Sequence, residues 1–198
     1  MLSILIPNRD EQHIQMFISE CEKILPAHEI IISNDTEGKG KGWALREALI
    51  HSKGDYIAFI DGDGEIEPRM LLRLLPFMDD FDAVVGSKRI AATAPLRRKI
   101  MTRLTRLWFK FLYGVRVDTQ TGIKLFRRRV LNFYSSYWES NGFIFDVEIL
   151  ANLQKKHYRI IEIPVEAEIR KQLSFKQIFR ILGESLWLKY RLSFHAKK

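Results

Sequence analysis

The sequence predicts an α/β fold, a mostly parallel sheet flanked by helices. Three observations carry this. Short apolar runs alternate with segments of helical periodicity along the first half of the chain. The run Tyr56–Ile60 is apolar throughout, as a strand buried on both faces requires. Residues of ligand-binding type follow each run, and open α/β sheets place their sites beyond the carboxyl ends of their strands.

The elements follow in order. Met1–Ile6 reads as a strand closed by Pro7, with Asn8-Arg9-Asp10-Glu11 as a polar loop. Ile14, Phe17, Ile18, Cys21 and Leu25 recur at helical spacing until Pro26 stops the helix. Glu29–Ser33 is a second strand. Gly38, Gly40 and Gly42, interleaved with Lys39 and Lys41, form a basic loop ahead of a helix from Trp43 to Ser52. Such a loop can cradle phosphate through backbone N–H groups, although its spacing is not that of a P-loop and a solvated surface loop reads equally well. Pro68 starts a helix over 69–78, and Asp82–Gly86 forms the next strand before Ser87-Lys88-Arg89.

From Pro95 to Tyr113 an apolar stripe (Ile100, Leu104, Leu107, Trp108, Phe111, Leu112) faces a basic remainder that contains no acid. That pattern suits an anionic bilayer interface, or equally a surface helix with a solvated basic face. A shaped loop, Val117 to Gly122, enters a strand, and Arg127-Arg128-Arg129 opens a short helix. Asp146 and Glu148 sit inside an otherwise apolar helix start, where Asp146 serves as a partner for the helix dipole. Tyr158–Val165 is the last strand. The expected division is an α/β domain over 1–173 and a basic amphipathic tail over 174–198, either part of the same domain or apposed to a membrane.

Composition narrows the function. The chain has 198 residues, 46% of them hydrophobic, which excludes a disordered chain and allows a substantial core. A formal charge of +8 favours anionic partners: nucleic acid, an anionic membrane face or phosphorylated substrates. Cys21, the single cysteine, excludes an intramolecular disulfide and fits a reducing compartment. No run is long enough to span a membrane and no signal pattern opens the chain, so the expectation is a cytoplasmic protein, peripheral on the inner membrane face.

The chemistry concentrates where the apolar strand ends, in Asp61-Gly62-Asp63-Gly64-Glu65. An Asp-Gly turn is one reading. Three carboxylates at alternate positions beside glycines also point to a divalent cation that offsets their repulsion and holds a diphosphate.

Taken together these residues resemble the family 2 glycosyltransferases of the GT-A fold, and most closely the polyprenyl-phosphate sugar synthases. The resemblance runs in order along nearly the whole chain. Ile6–Glu11 matches the opening I-P-x-Y-N-E, Ser33-Asn34-Asp35 the V-D-D, and Gly38–Arg46 the G-x-G-x-A-x-R stretch. Gly54-Asp55-Tyr56 with Asp61-Gly62-Asp63 matches G-D-Y and D-x-D, Val84–Lys88 matches V-V-G-S-R, and Asp118–Lys124 matches D-x-x-x-G-x-R. Gly142–Glu148 matches G-F-x-F-D-x-E. Arg9 departs from the aromatic, Asn34 from the first Asp of V-D-D, Lys88 from Arg, and Glu65 from a Gln frequent in the synthases.

The resemblance implies an inverting transfer of a sugar from a UDP-, GDP- or dTDP-sugar, with Mg²⁺ or Mn²⁺ as cofactor. It implies metal ligation by Asp63 and Glu65, with Asp61 a third ligand or a ribose partner. The donor would be lined by Pro7, Arg9, Glu11, Ser33, Asp35, Lys41, Asp61, Gly62, Lys88, Arg170 and Lys176, the last two beside the diphosphate. The catalytic candidates are Asp63, Asp118, Asp146 and Arg170. An acceptor that is a polyprenyl phosphate, dolichyl or undecaprenyl, needs no base; a glycan or protein hydroxyl acceptor would use Asp118 or Asp146. No nucleic-acid partner is expected of such a transferase, and a homodimer is compatible with it. A non-catalytic basic module that binds lipid or nucleic acid accounts for the charge but leaves Asp61, Asp63 and Glu65 unexplained. A nucleotidyltransferase is the remaining alternative, since related α/β folds also hold metal and nucleotide with paired Asp residues.

Overall fold

The structure, a computed structural model, describes residues 1–8, 14–25, 27–88, 96–132, 138, 140–142, 144–167 and 175–195. The elements run β1 (Leu2–Asn8), α1 (Ile14–Ile24), β2 (His28–Asn34), α2 (Lys41–His51), β3 (Tyr56–Ile60) and α3 (Arg69–Leu74). They continue with β4 (Ala83–Lys88), α4 (Leu96–Tyr113), β5 (Ile123–Arg127), α5 (Arg128–Asn132), α6 (Phe145–Lys155), β6 (Ile160–Val165) and α7 (Phe175–His195).

The six strands lie in the order β2-β1-β3-β5-β4-β6. Pairings β1–β2, β1–β3 and β4–β6 are parallel, whereas β5 runs antiparallel to both β3 and β4. The sheet is therefore mostly parallel, as expected, with one reversed strand that the alternation of elements did not indicate. The reason lies in α4. Instead of carrying the chain back to the far edge, α4 stays near the end of β4, where Arg106 donates to Ser87 Oγ at 3.1 Å. β5 consequently enters the sheet from the same edge at which β3 and β4 leave it, and the loop before β5 joins the residues that follow the other strands.

Alternation along the strands builds two cores. On one face Leu5, Ile57, Phe59, Val85 and Phe126 pack with Leu45 of α2 and Phe145 of α6. On the other, Ile4, Ile6, Ala58, Ile60, Val84 and Leu125 pack with Phe17 of α1 and Leu71 of α3. Each fully buried Val, Leu, Ile or Phe side chain among them is worth about 1.5–3 kcal/mol. Cys21 lies in this second core, where burial pushes its thiol up to about 12 and leaves it unreactive. The helix expected over 69–78 is shorter, because α3 stops at Leu74 and Leu75–Met78 tightens into a 3₁₀ turn. Pro76 is the cause: it has no N–H and its ring clashes with the carbonyl four residues back.

Helix α7 packs on α4 and α6. Leu188 joins Phe109, Ile144 and Val147 in a third apolar cluster. Trp108 Nε1 donates to Ser185 Oγ at 2.9 Å, and the Tyr113 hydroxyl donates to the Ser185 carbonyl. No helix among the described residues is long and apolar enough to cross a membrane.

At the edge of the sheet opposite the candidate site, Asp82 accepts from Arg129 Nη2 at 2.7 Å and from the Arg159 N–H at 3.0 Å. Burial pushes its carboxyl up, but these two donors outweigh burial and hold it below the usual carboxylate range. A depressed folded pKa gives stability that is complete above the unfolded value near 4 and fades as pH falls through the folded one. We expect Asp82→Asn to cost about 1–3 kcal/mol in urea denaturation at pH 7, and the gap from wild type to close as pH falls below the usual carboxylate range. A gap that persists there contradicts this role.

Candidate active site

The site forms where the strands end. Pro7 on β1 is opposite Ser33 on β2 in the parallel register, and Asp35 follows directly. Both Asp35 oxygens accept backbone N–H groups of the glycine–lysine loop, Oδ1 from Lys39 at 2.6 Å and Oδ2 from Gly40 at 2.7 Å. A carboxylate oxygen has further lone pairs, so Asp35 shapes the loop and retains capacity for a ligand. Gly40 is required at the bend: its φ is 110°, and a Cβ there would lie 2.2 Å from the Asn141 carbonyl oxygen. Gly62 packs tightly, since a Cβ would fall 3.1 Å from Ile6 Cγ2.

The loop ends at Lys41, the first residue of α2, and Lys41 bridges two acids. Its Nζ lies 2.8 Å from Asp61 Oδ1 and 3.0 Å from Asp146 Oδ2. Asp146 Oδ1 is in turn 3.3 Å from Lys124 Nζ, which also donates to the Thr121 carbonyl at 2.5 Å. The order Lys124–Asp146–Lys41–Asp61 thus ties β5, α6, α2 and the end of β3 together. Burial raises the Asp146 carboxyl, but the two lysines outweigh it and keep the group below its ordinary range. Burial lowers Lys124, with Lys41 adding to the effect against the opposing pull of Asp146. Asp146 therefore serves as a shared counter-ion, beyond the helix-dipole partner read from the sequence.

Lys124 had no role in the sequence reading beyond closing a motif. The available signal was a lone lysine inside the apolar strand Ile-Lys-Leu-Phe, on the same face as Phe126. It is 1% exposed and faces α6.

Gly122, just ahead of β5, accepts the Asp61 N–H at 2.9 Å. A Cβ at Gly122 would lie 2.5 Å from Asp61 Oδ2. We expect Gly122→Ala to push the Asp61 carboxylate off Lys41, costing about 1–3 kcal/mol in stability. An alanine variant with wild-type thermal stability contradicts this packing.

The acidic triplet divides its contacts. Asp61 pairs with Lys41. Glu65, buried, pairs with Lys88 from the end of β4. Asp63 accepts the Glu65 N–H at 3.1 Å, and among the described residues no ion pair reaches it. Burial pushes the Asp63 carboxyl up, and the neighbouring Asp61 and Glu65 charges push it further. The three do not form a closed cage, and among the described residues no group of three His, Cys, Asp or Glu is arranged as one. A hard divalent cation bound with a diphosphate needs only one or two protein carboxylates, the phosphates supplying the rest. Asp63, an anion short of positive charge, fits that requirement, with Asp61 next to it.

Asp118 lies at the same edge, buried. Its Oδ2 accepts from Arg106 Nη2 at 3.0 Å and its Oδ1 from the Gln120 N–H at 2.9 Å. Arg106 also reaches Glu162 Oε1 at 3.3 Å, and Glu162 Oε2 accepts the Asp118 N–H at 2.7 Å. Arg106 and Glu162 were not singled out from the sequence, where each is one charge among many. Arg9, Glu11, Arg170 and the side chain of Lys176 lie outside the described residues.

This edge carries an acidic turn, an amide-lined glycine loop and three lysines on elements that alternate in the order of the sugar-transferase motifs. The family model of glycosyl transferase family 2 matches residues 8–135. The chain belongs to glycosyl transferase family 2. Among curated proteins, this family 2 chain is 29% identical over 149 residues to the dolichyl-phosphate beta-glucosyltransferase of Saccharomyces cerevisiae, covering 66% of this chain and 45% of that protein. It is 27% identical over 153 residues to the undecaprenyl-phosphate mannosyltransferase of Micrococcus luteus, covering 74% and 61% respectively. The chain thus spans roughly half the length of these relatives. Among solved structures, glucosyl-3-phosphoglycerate synthase from Mycobacterium tuberculosis, in complex with Mn²⁺, UDP and glucosyl-3-phosphoglycerate, superposes with a TM-score of 0.74 at 16% identity, covering 95% of this chain and 79% of that one. At that identity the likeness concerns the fold, which is GT-A.

Proposed function

We propose that this family 2 chain transfers a sugar from a nucleoside-diphosphate sugar to a polyprenyl phosphate at the cytoplasmic face of a membrane, with inversion at the anomeric carbon. The observation that carries the acceptor class is the state of the two acids available as bases. Asp118 is engaged by Arg106, and Asp146 is held by Lys41 and Lys124. Carboxylates engaged in this way are not presented to an acceptor hydroxyl, as a general base must be. A phosphate acceptor is already anionic at neutral pH and needs none. The names of the curated relatives, a dolichyl-phosphate and an undecaprenyl-phosphate transferase, support the same class.

In this reading an acceptor phosphate oxygen attacks the anomeric carbon, the bond from that carbon to the donor diphosphate oxygen breaks, and the nucleoside diphosphate departs with the electron pair. Pro7, Ser33 and Asp35 border the nucleoside, while Lys41 and Lys88 set positive charge by the diphosphate. Arg9, Glu11, Arg170 and Lys176 keep their proposed donor contacts. Asp63 would hold a divalent cation with Asp61 or Glu65, and that cation, when bound, neutralises the leaving diphosphate. Solved relatives of the fold crystallised with Mn²⁺ or Mg²⁺ and UDP support this cofactor class. The basic and apolar faces of α4 and α7 would lie on the lipid surface.

The test is transfer from labelled UDP-, GDP- and dTDP-sugars, with Mn²⁺, to a short polyprenyl phosphate or to a polyprenol. We expect an acid-labile phosphate-linked product from the first acceptor alone. Sugar appearing only on hydroxyl groups overturns the acceptor assignment.

A further inference from the structure

Leu107 of α4 forms a ridge between two hollows of opposite character. On one side lies a cavity of about 430 Å³ between α4 and α7, lined by Leu104, Trp108, Phe111, Ile181 and Leu182. On the other lies a hollow of about 200 Å³, floored by Val115 and Val117 and rimmed by Arg103, Lys110 and Arg116. Arg106, also at that rim, is turned to Asp118 and Glu162. Among the described residues no ion pair engages Arg103, Lys110 or Arg116, and all three are exposed. Three cations around one small hollow repel each other unless an anion joins them.

The surrounding surface defines the anion further. Phe111 is 84% exposed and Trp187 on α7 is 51% exposed. Exposed aromatic and aliphatic side chains beside a cationic rim suit a ligand with a charged head and an apolar body. A free phosphate would leave the apolar cavity wet, and a nucleic-acid backbone carries no apolar tail to fill it. Trp187 and Tyr190 are of the kind that settles at the headgroup level of a bilayer.

We propose that Arg103, Lys110 and Arg116 form a headgroup site for an anionic phospholipid of the bilayer, distinct from the acceptor position, with the lipid's chains over Leu107 toward the apolar cavity. The proposal rests on the reading that transfer takes place at a lipid surface. Its consequence is orientation: a lipid held on α4 fixes the edge carrying Asp63 and Asp118 toward the membrane, because Arg106 on the same helix reaches both Ser87 and Asp118.

The experiment is co-sedimentation of the full chain with phosphatidylcholine vesicles and with phosphatidylcholine–phosphatidylglycerol vesicles. Two triple variants remove the same charge: Arg103→Gln/Lys110→Gln/Arg116→Gln at the rim, and Lys23→Gln/Lys53→Gln/Arg73→Gln at exposed positions on α1, before β3 and on α3. A cation near an anionic surface is worth about fivefold in affinity, so the rim variant is expected to lose roughly 100-fold on anionic vesicles. The control variant should stay within a few-fold of wild type. Equal losses in both variants, no preference of wild type for anionic vesicles, or stronger binding to a phosphodiester oligonucleotide than to vesicles overturns the site. Calorimetry with nucleoside diphosphate and Mn²⁺ runs alongside. Nucleotide binding without vesicle binding removes the lipid site and leaves the transferase reading standing; vesicle binding without nucleotide binding does the reverse.

Discussion

Asp63→Asn is expected to reduce the proposed metal-dependent sugar transfer by about 10²–10³-fold, the size of effect produced by removing one group that stabilises developing charge. The fold should survive. The carboxyl of Asp63 is pushed up by burial and then by Asp61 and Glu65, so its ionised form favours the unfolded chain. For an acid with a raised folded pKa, that cost is complete above the folded value and disappears as pH falls below the unfolded one. A neutral asparagine removes it. At pH 7 without metal the variant should therefore melt at the wild-type temperature or about 2 °C above it, since ~1 kcal/mol moves Tm by 2–4 °C in a domain of this size. Added Mn²⁺ should raise the melting temperature of wild type in the presence of nucleoside diphosphate but leave the variant unmoved. Lower metal-free stability together with normal metal dependence contradicts the assignment.

The second large effect is on stability. Asp146→Asn leaves Lys41 and Lys124 without the carboxylate they share, and Lys124 is fully buried with its charge already disfavoured. Removing one partner from a buried ionic group costs about 3–5 kcal/mol. Adding Lys124→Met to Asp146→Asn should recover a large part of that loss, because the stranded cation goes with it. A double-mutant cycle in urea reads this as a coupling of at least ~1 kcal/mol. If Asp146 acts instead as a base at the protein surface, Asp146→Asn leaves stability near wild type, abolishes turnover, and shows no coupling to residue 124.

Much of the fold could be read from local pattern, because the information is local. Tyr56–Ile60 is apolar at each position, and only a strand covered on both faces tolerates that. Helix α1 keeps its spacing until Pro26. The direction of β5 was not legible, because direction depends on where α4 lies, a tertiary fact. The 3₁₀ turn was legible through Pro76 but was passed over within a longer helical pattern.

The site divides in the same way. Asp61, Asp63 and Glu65 stood out because carboxylates crowd the end of a buried strand. Their separate fates, Asp61 on Lys41 and Glu65 on Lys88, depend on residues 20 or more positions away that meet only after folding. Asp146 stood out within its motif but its partner Lys124 did not, and their shared role exists only as a pair between β5 and α6. Arg106 belongs to the basic remainder of the segment from Pro95 to Tyr113, although in the folded chain it turns to Asp118.

The most direct test of the account is a calorimetric titration of UDP, GDP and dTDP into wild type and Asp63→Asn, each with Mn²⁺ and with EDTA. The account requires one of the three nucleotides to bind wild type at least ~10-fold more tightly with Mn²⁺, and that gain to vanish in the variant. Equal affinity with and without Mn²⁺ in wild type, or an undiminished Mn²⁺ gain in Asp63→Asn, contradicts it.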